Sequence, residues 1–199
     1  MKLHYSPESQ FVRKVMATAI EAGLLPKIEM IHDKKDLEKH NPLLKRPCLQ
    51  TEDGDWILDS PIICEYLAGL GGHKLLPKEG RARWQIMSQM ALADGVMDAA
   101  GNVKQDEAFH KANASKDWAD KNWIKVQQGL DHFEALAKQG TLETPTLGSL
   151  SIAICCGYLD YRHEAKLDWR KRCPALAKWY EVFSKRPAIA ETRPKAAVS

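Results

Sequence analysis

The sequence predicts an α+β chain in two parts, a small mixed-sheet domain over residues 1–77 and an all-helical domain over residues 78–199. Two observations carry this reading. In the first third, short strand-like runs alternate with helical periodicity in the order β-α-β, then a β-hairpin, then a helix. Beyond Leu76-Pro77 no strand pattern recurs, and long segments with apolar residues at helical spacing take over. With 44% hydrophobic against 28% charged residues, the chain has enough apolar side chain for a sizeable core and lacks the bias of a disordered protein.

The first strand covers residues 2–5, where Leu3 and Tyr5 share a face, and Ser6-Pro7 breaks it. From Phe11 the apolar positions Val12, Val15, Met16, Ala19 and Ile20 follow helical spacing, and Gly23 supplies the stop. Residues 27–31 form a second strand after Pro26, and residues 33–40 a charged connector or short helix ended by Asn41-Pro42. Residues 47–50 and 56–58 flank Glu52-Asp53-Gly54-Asp55, and an Asp-Gly step between two apolar runs signals a hairpin. Ser60-Pro61 then opens a helix as a serine N-cap with proline at the first helical position, and Gly69, Gly71 and Gly72 close it. In the second part, residues 81–100, 118–138, 146–163 and 174–185 read as helices.

Composition narrows the function classes. The 29 basic and 26 acidic residues leave a formal charge of +3 and are interspersed, so no electrostatic footprint for nucleic acid emerges. Met1-Lys2-Leu3-His4-Tyr5 turns polar too soon for a secretory leader, and no apolar run approaches the roughly 20 residues of a membrane span. Cys48, Cys64, Cys155, Cys156 and Cys173 form an odd set without a CxxC pair, all within apolar stretches, which points to reduced buried thiols and a cytoplasmic location. The seven histidines show no metal-ligand spacing, and no metal is expected. The Gly69–Lys74 run lacks the preceding strand and the Gly-Lys-Ser/Thr ending of a phosphate loop.

Four separated motifs stand out, three that bear on chemistry and one that is structural. Tyr5-Ser6-Pro7-Glu8-Ser9-Gln10-Phe11-Val12-Arg13-Lys14-Val15 places hydroxyls at a strand-to-helix turn. There a hydroxyl donor meets a positive helix end, which favours negative charge, although Ser9 also reads as a plain N-cap. Asn41-Pro42-Leu43-Leu44-Lys45-Arg46-Pro47-Cys48-Leu49 places Pro47 at the mouth of a strand. Leu58-Asp59-Ser60-Pro61-Ile62-Ile63 sets a carboxylate and a hydroxyl at a helix N-terminus, where the hydroxyl, exposed amides and the helix dipole favour an anion, or simply an N-cap. Thr146-Leu147-Gly148-Ser149-Leu150-Ser151-Ile152-Ala153 has the form of a capping box, with serine in place of an acidic partner and hence a weaker reciprocal bond.

Together these segments resemble the cytosolic glutathione transferases of bacterial type, with a serine-containing active-site motif, over almost the whole chain. The resemblance implies a thioredoxin-like glutathione-binding domain followed by the helical domain, with glutathione as co-substrate and a small hydrophobic electrophile as second substrate. It implies Ser9 as the group that stabilises the thiolate, with Ser6 or Tyr5 as alternatives because Gln10 stands where the family has proline. It implies a cis Pro47, the Arg46 backbone pairing with the cysteinyl part, Lys45 facing the glycyl carboxylate, and Asp59 with Ser60 at the γ-glutamyl end. Leu44 stands where glycine is common and Arg46 where valine is common. A homodimer is expected, with no nucleic-acid or membrane partner. Those departures, with Gln10 and Ser149, motivate a rival reading as a non-catalytic binding or regulatory module, and a glutathione-dependent disulfide reductase is a further alternative. Cys48 reads as core rather than as a nucleophile, and Trp84, Trp118, Trp123 and Trp179 as core or interface.

Overall fold

The computed structural model describes residues 1–33 and 35–194. Its described residues form two compact units, one comprising Met1–Met87 with residues 186–194, the other Ser88–Lys185. This division differs from the sequence-based one at residues 77 and 78. The first turns of a long helix and the C-terminal segment both join the N-terminal unit.

The N-terminal unit contains β1 (Lys2–His4), α1 (Gln10–Glu21), β2 (Glu29–Ile31), α2 (Leu37–His40), β3 (Cys48–Gln50), β4 (Trp56–Leu58) and α3 (Ser60–Leu70). The four strands form one sheet in the order β2-β1-β3-β4. β1 runs parallel to β2, while β3 runs antiparallel to both β1 and β4. Directly paired residues share a sheet face, so Leu3, Leu49 and Ile57 point one way while Gln50 and Trp56 point the other. On the first face, fully buried Leu3 and Leu49 meet Val12, Val15 and Ala19 of α1 and Ile63 and Leu67 of α3 in one apolar core. α1 and α3 approach closely at their ends, where a Cβ on Gly71 would lie 2.8 Å from that of Ala22. The opposite face is roofed by α2, whose His40 ring stacks on Trp56 at 3.8 Å between centroids.

Local chemistry explains the boundaries. Gly23 takes φ +70° after α1, and Gly54 takes φ +97° in the β3–β4 hairpin, where the Thr51 amide donates to Asp55 O at 2.8 Å. The C-terminal segment carries α9 (Pro187–Ala190). It is held to α1 by Arg13, which donates to Ile189 O and Thr192 Oγ1, and by Arg186, which makes a bidentate pair with Glu21 at 2.8 and 3.0 Å.

α4 (Arg81–His110) begins in the first unit and continues into the second. The second unit further contains α5 (Lys116–Lys138), α6 (Leu147–His163), α7 (Trp169–Arg172) and α8 (Pro174–Phe183). α6 is the central helix, with every residue from Leu147 to Leu159 buried. Its capping box is complete. The Ser149 amide donates to Thr146 Oγ1 at 3.1 Å and the Thr146 amide to Ser149 Oγ at 2.9 Å. The serine therefore closes the reciprocal bond despite its short side chain, and its hydroxyl also reaches Thr144 O at 2.9 Å, a bond no ionised aspartate could donate. At the start of α8, Glu134 of α5 accepts from the Leu176 and Ala175 amides at 2.8 and 3.2 Å. Burial pushes the Glu134 pKa up, but these amides and Lys138 outweigh it and hold the carboxyl below its ordinary value. Trp179 is core, whereas Trp84 and Trp118 are 64% and 46% exposed.

Candidate active site

The three N-terminal motifs emerge at one end of the sheet. β1 ends at His4 and leads into the Tyr5–Ser9 turn. Because β3 runs antiparallel beside β1, Arg46 and Pro47, which enter β3, stand next to that end. Cys48 pairs with Leu58, so Asp59 and Ser60, which leave β4, stand beside Pro47 on the other flank. Three adjacent strands thus bring the three loops to a common edge about 10 Å across, two inter-strand spacings.

At the first loop, Ser9 is the N-cap of α1. Its backbone is extended, and its Oγ accepts from the Val12 amide at 3.3 Å. That bond uses a lone pair and leaves the hydroxyl proton available to a second partner. No acidic side chain occupies the first turn of α1, so the positive helix end there is uncompensated by its own residues. Ser6, whose carbonyl accepts from the Ser9 amide at 3.3 Å, and Tyr5 also line a cavity of about 230 Å³ whose wall does not include Ser9. The Tyr5 ring meets His32 edge-on at 5.1 Å.

At the second loop the Arg46–Pro47 peptide is cis. Asn41, buried at the loop's root, donates from Nδ2 to Lys45 O at 2.8 Å and accepts from the Leu43 amide at 3.0 Å, which fixes the loop's shape. Leu44 takes φ +54°, a left-handed conformation that favours glycine, and this is why glycine suits that place in the motif. The Arg46 side chain has a partner of its own. It donates to Asp33 O in the loop after β2, leaving its buried Nε without a partner. Lys45 is exposed.

At the third loop the structure corrects the capping assignment. Asp59, not Ser60, is the N-cap of α3: Asp59 Oδ1 accepts from the Ser60 amide at 2.8 Å, and Ser60 is the first helical residue. Asp59 holds φ +70° and ψ +139°, a sparsely populated combination for a non-glycine residue and one that concentrates at functional sites. Ser60 is buried, and its Oγ has no hydrogen-bond partner. A hydroxyl orphaned at a helix N-terminus beside an exposed carboxylate is a ready donor for an anionic group.

Beneath this edge, on the α2 face of the sheet, lies a cluster that sequence reasoning missed. His4 Nε2 and His40 Nδ1 share a hydrogen bond at 2.8 Å, and both rings pack on Trp56. Burial, followed by His40 and Arg46, lowers the His4 pKa. A histidine in a three-residue strand and another in a charged connector gave no signal of contact. Cys48 Sγ points to His40 O at 3.6 Å, and burial pushes this thiol up to about 11, so it is no thiolate near neutral pH.

A β2-β1-β3-β4 sheet with a cis proline at the mouth of β3, packed with helices and followed by a helical unit, defines a thioredoxin-like class of protein. Comparison with known proteins agrees. Residues 8–70 match the glutathione S-transferase N-terminal domain, and residues 116–181 match the glutathione S-transferase C-terminal domain. The chain is 35% identical to the uncharacterized GST-like protein YibF of Escherichia coli (strain K12), with 98% of each chain covered. A glutathione transferase family member from Pseudomonas fluorescens Pf-5, crystallised with bound glutathione, superposes with a TM-score of 0.92 at 34% identity, covering 98% of this chain and 99% of the other. A glutathione S-transferase from Methylobacillus flagellatus KT with glutathione bound gives a TM-score of 0.88 at 29% identity, with 98% and 99% covered. The chain belongs to the glutathione S-transferase family.

Proposed function

We propose that this protein binds glutathione, ionises its thiol, and transfers the thiolate to a small hydrophobic electrophile. The observation that carries the reading is the unpartnered Ser60 hydroxyl at the α3 N-terminus, at the same sheet edge as the Arg46–Pro47 cis peptide and the Ser9 cap. In this reading the γ-glutamyl carboxylate accepts from Ser60 and the first α3 amides, and Asp59 meets the α-ammonium. The backbone of Arg46 before Pro47 pairs with the cysteinyl unit, and exposed Lys45 faces the glycyl carboxylate as a point charge. The sulfur then lies by the α1 N-terminus, where the free proton of Ser9 Oγ and the helix dipole favour the thiolate. Ser9 donates to the sulfur and does not itself attack. The two similar proteins crystallised with glutathione support the choice of thiol.

The test is calorimetric titration of glutathione together with an assay against an aryl halide. Saturable binding with conjugate formation is expected. Binding without turnover on a panel of electrophiles would instead support a binding or regulatory module. Turnover of mixed disulfides alone would make the protein a disulfide reductase. We also propose a homodimer, supported by the exposure of Ile62, Leu70 and Trp84, with light scattering as its check. A cytoplasmic location is supported by five cysteines that are all buried thiols outside any disulfide. No helix among the described residues is long and apolar enough to cross a membrane.

A further inference from the structure

The segments that feed the three loops at the sheet edge also meet beneath it, each through an aromatic ring on the α2 face. His4 is the last residue of β1, just before the Tyr5–Ser9 turn. His40 is the last residue of α2, just before Asn41 at the root of the cis-proline loop. Trp56 is the first residue of β4, which ends at Leu58 before Asp59. Register puts the three together. Lys2, Gln50 and Trp56 are paired across β1, β3 and β4 and share a face, and His4, two residues on from Lys2, shares it too. His4 Nε2 and His40 Nδ1 lie 2.8 Å apart, with the His4 ring 5.4 Å from Trp56 and the His40 ring stacked on it at 3.8 Å.

The two ends of the histidine bond are held unequally. β1 lies between β2 and β3, and His4 is fully buried, so the sheet itself fixes that ring. α2 is a single turn of four residues, too short to be stable alone, and Leu37 is its one buried residue. Its C-terminal end is therefore placed by what His40 touches: His4, Trp56 and, at its carbonyl, the Cys48 thiol of β3 at 3.6 Å. From there the connection to the loop is short. Asn41 follows His40 and donates to Lys45 O at 2.8 Å, one residue before the Arg46–Pro47 peptide. A bond between two imidazoles needs one bare nitrogen as acceptor. Burial, then His40 and Arg46, hold the His4 pKa below its ordinary value against the opposing carboxylates of Asp33 and Asp36, so an acceptor is present near neutral pH. We infer that His4 and His40 are positioning residues of the glutathione site, their shared hydrogen bond over Trp56 setting the Asn41–Pro47 loop where its backbone meets the tripeptide. This inference rests on the function proposed above and deepens it. Neither ring is among the groups assigned to touch glutathione; both act through the loop.

Calorimetric titration of glutathione into the whole protein, with the aryl-halide assay beside it, separates the bond from the packing. His4→Leu removes the bond together with a buried nitrogen, Nδ1, that has no partner. His40→Phe removes the bond and keeps a ring to stack on Trp56. Each should weaken glutathione binding by about three- to tenfold, the worth of one net hydrogen bond. His4→Gln, whose amide reaches the place of ring Nε2, should bind within about twofold of the unmodified protein. KM for glutathione should rise in step with Kd while kcat at saturation holds, because Ser9 is untouched. Unchanged affinity in folded His4→Leu and His40→Phe, an affinity of His4→Gln as poor as that of His4→Leu, or a fall in kcat at constant KM would each overturn the proposal. If His4→Leu does not fold, His40→Phe, at a half-buried position, isolates the same bond. Hydrogen exchange distinguishes this proposal from the proposed function. The Leu44 amide, which donates to Asn41 O at 2.9 Å, should exchange about three- to tenfold faster in His40→Phe, with or without glutathione. Faster exchange in a protein that fails to bind glutathione would uphold the pair as the anchor of the loop while overturning the proposed function, and unchanged exchange would overturn the pair.

Discussion

At the scale of single residues, the candidate site turns on two serines whose hydrogen bonds differ. Ser9 accepts one bond within its own helix, so its removal has two separable effects. Ser9→Ala should cost about 1 kcal/mol of stability through the lost cap. It should also raise the pKa of bound glutathione by roughly one to two units, since a hydrogen bond to a charged group is worth about 1.5 to 3 kcal/mol. Turnover near neutral pH would then fall about tenfold or more and recover as pH rises. Ser9→Asp separates the effects, because aspartate caps as well as serine but has no proton to donate. Stability retained with activity lost in the pH–rate profile supports the mechanism; activity retained in Ser9→Asp would reduce Ser9 to a cap and move the role to Ser6 or Tyr5. Ser60 behaves differently, because its buried hydroxyl is unpartnered and Asp59 does the capping. Ser60→Ala should leave the melting temperature unchanged or higher while weakening glutathione binding by about 1 to 3 kcal/mol. A large loss of stability with unaltered affinity in calorimetry would remove Ser60 from the site.

At the scale of elements, the Asn41–Pro47 loop shows a local conflict that the fold tolerates. Leu44 is 60% exposed and sits at φ +54°, so it contributes little burial to offset a left-handed backbone. Leu44→Gly relieves that strain but makes the unfolded chain more flexible, and a net gain of about 0.5 to 1 kcal/mol is expected in urea unfolding. A loss would mean that the leucine side chain packs usefully despite its exposure. The strands and long helices were legible because their signals are local: the alternation in β1, the Asp53-Gly54 turn, and the apolar spacing from Val12 to Ile20. The limits of legibility are equally physical. α4 runs on to His110 through Gly101 and a polar stretch that carries no periodicity, and α7 and α9 are single turns too short to show any. The cap of α3 lies one residue before the serine that the sequence favours, because Asp and Ser are equally good N-caps and only the backbone angle of Asp59 decides between them. The return of the C-terminal segment to α1 depends on Arg13 meeting Ile189 across 176 residues, a contact with no local trace. In the site, the motif loops could be read, but the His4–His40 pair and the cavity beside α1 arise only from packing.

At the scale of the whole molecule, stability should form a dome in pH bounded by buried histidine on the acid side and buried thiols on the alkaline side. His163, at the end of α6, is 2% exposed, with its Nε2 unpartnered and its ring edge-on to Trp123 at 5.1 Å. Burial, followed by Lys166, pushes its pKa down to about 4. The unfolded chain takes up this proton near pH 6.5, whereas the folded chain resists it until about 4, so the unfolded state binds more protons throughout that window. The contribution is therefore fully present above about pH 6.5 and is lost as pH falls toward 4, amounting to about 3 kcal/mol at most. His4 is lowered in the same direction and steepens the fall. On the other side, burial raises Cys48 and Cys173 to about 11 and lifts Cys155 and Cys156 as well. Stability from these neutral thiols is present below the ordinary thiol value of about 8.5 and declines as pH rises beyond it. Urea unfolding followed from about pH 5 to pH 10 should thus give a maximum between about 6.5 and 8.5. His163→Gln, which removes the ionisable ring, should flatten the acid limb without moving the alkaline one. If the variant and the unmodified protein lose stability in parallel between about pH 6.5 and 5, the acid limb belongs to other groups and His163 is not its source.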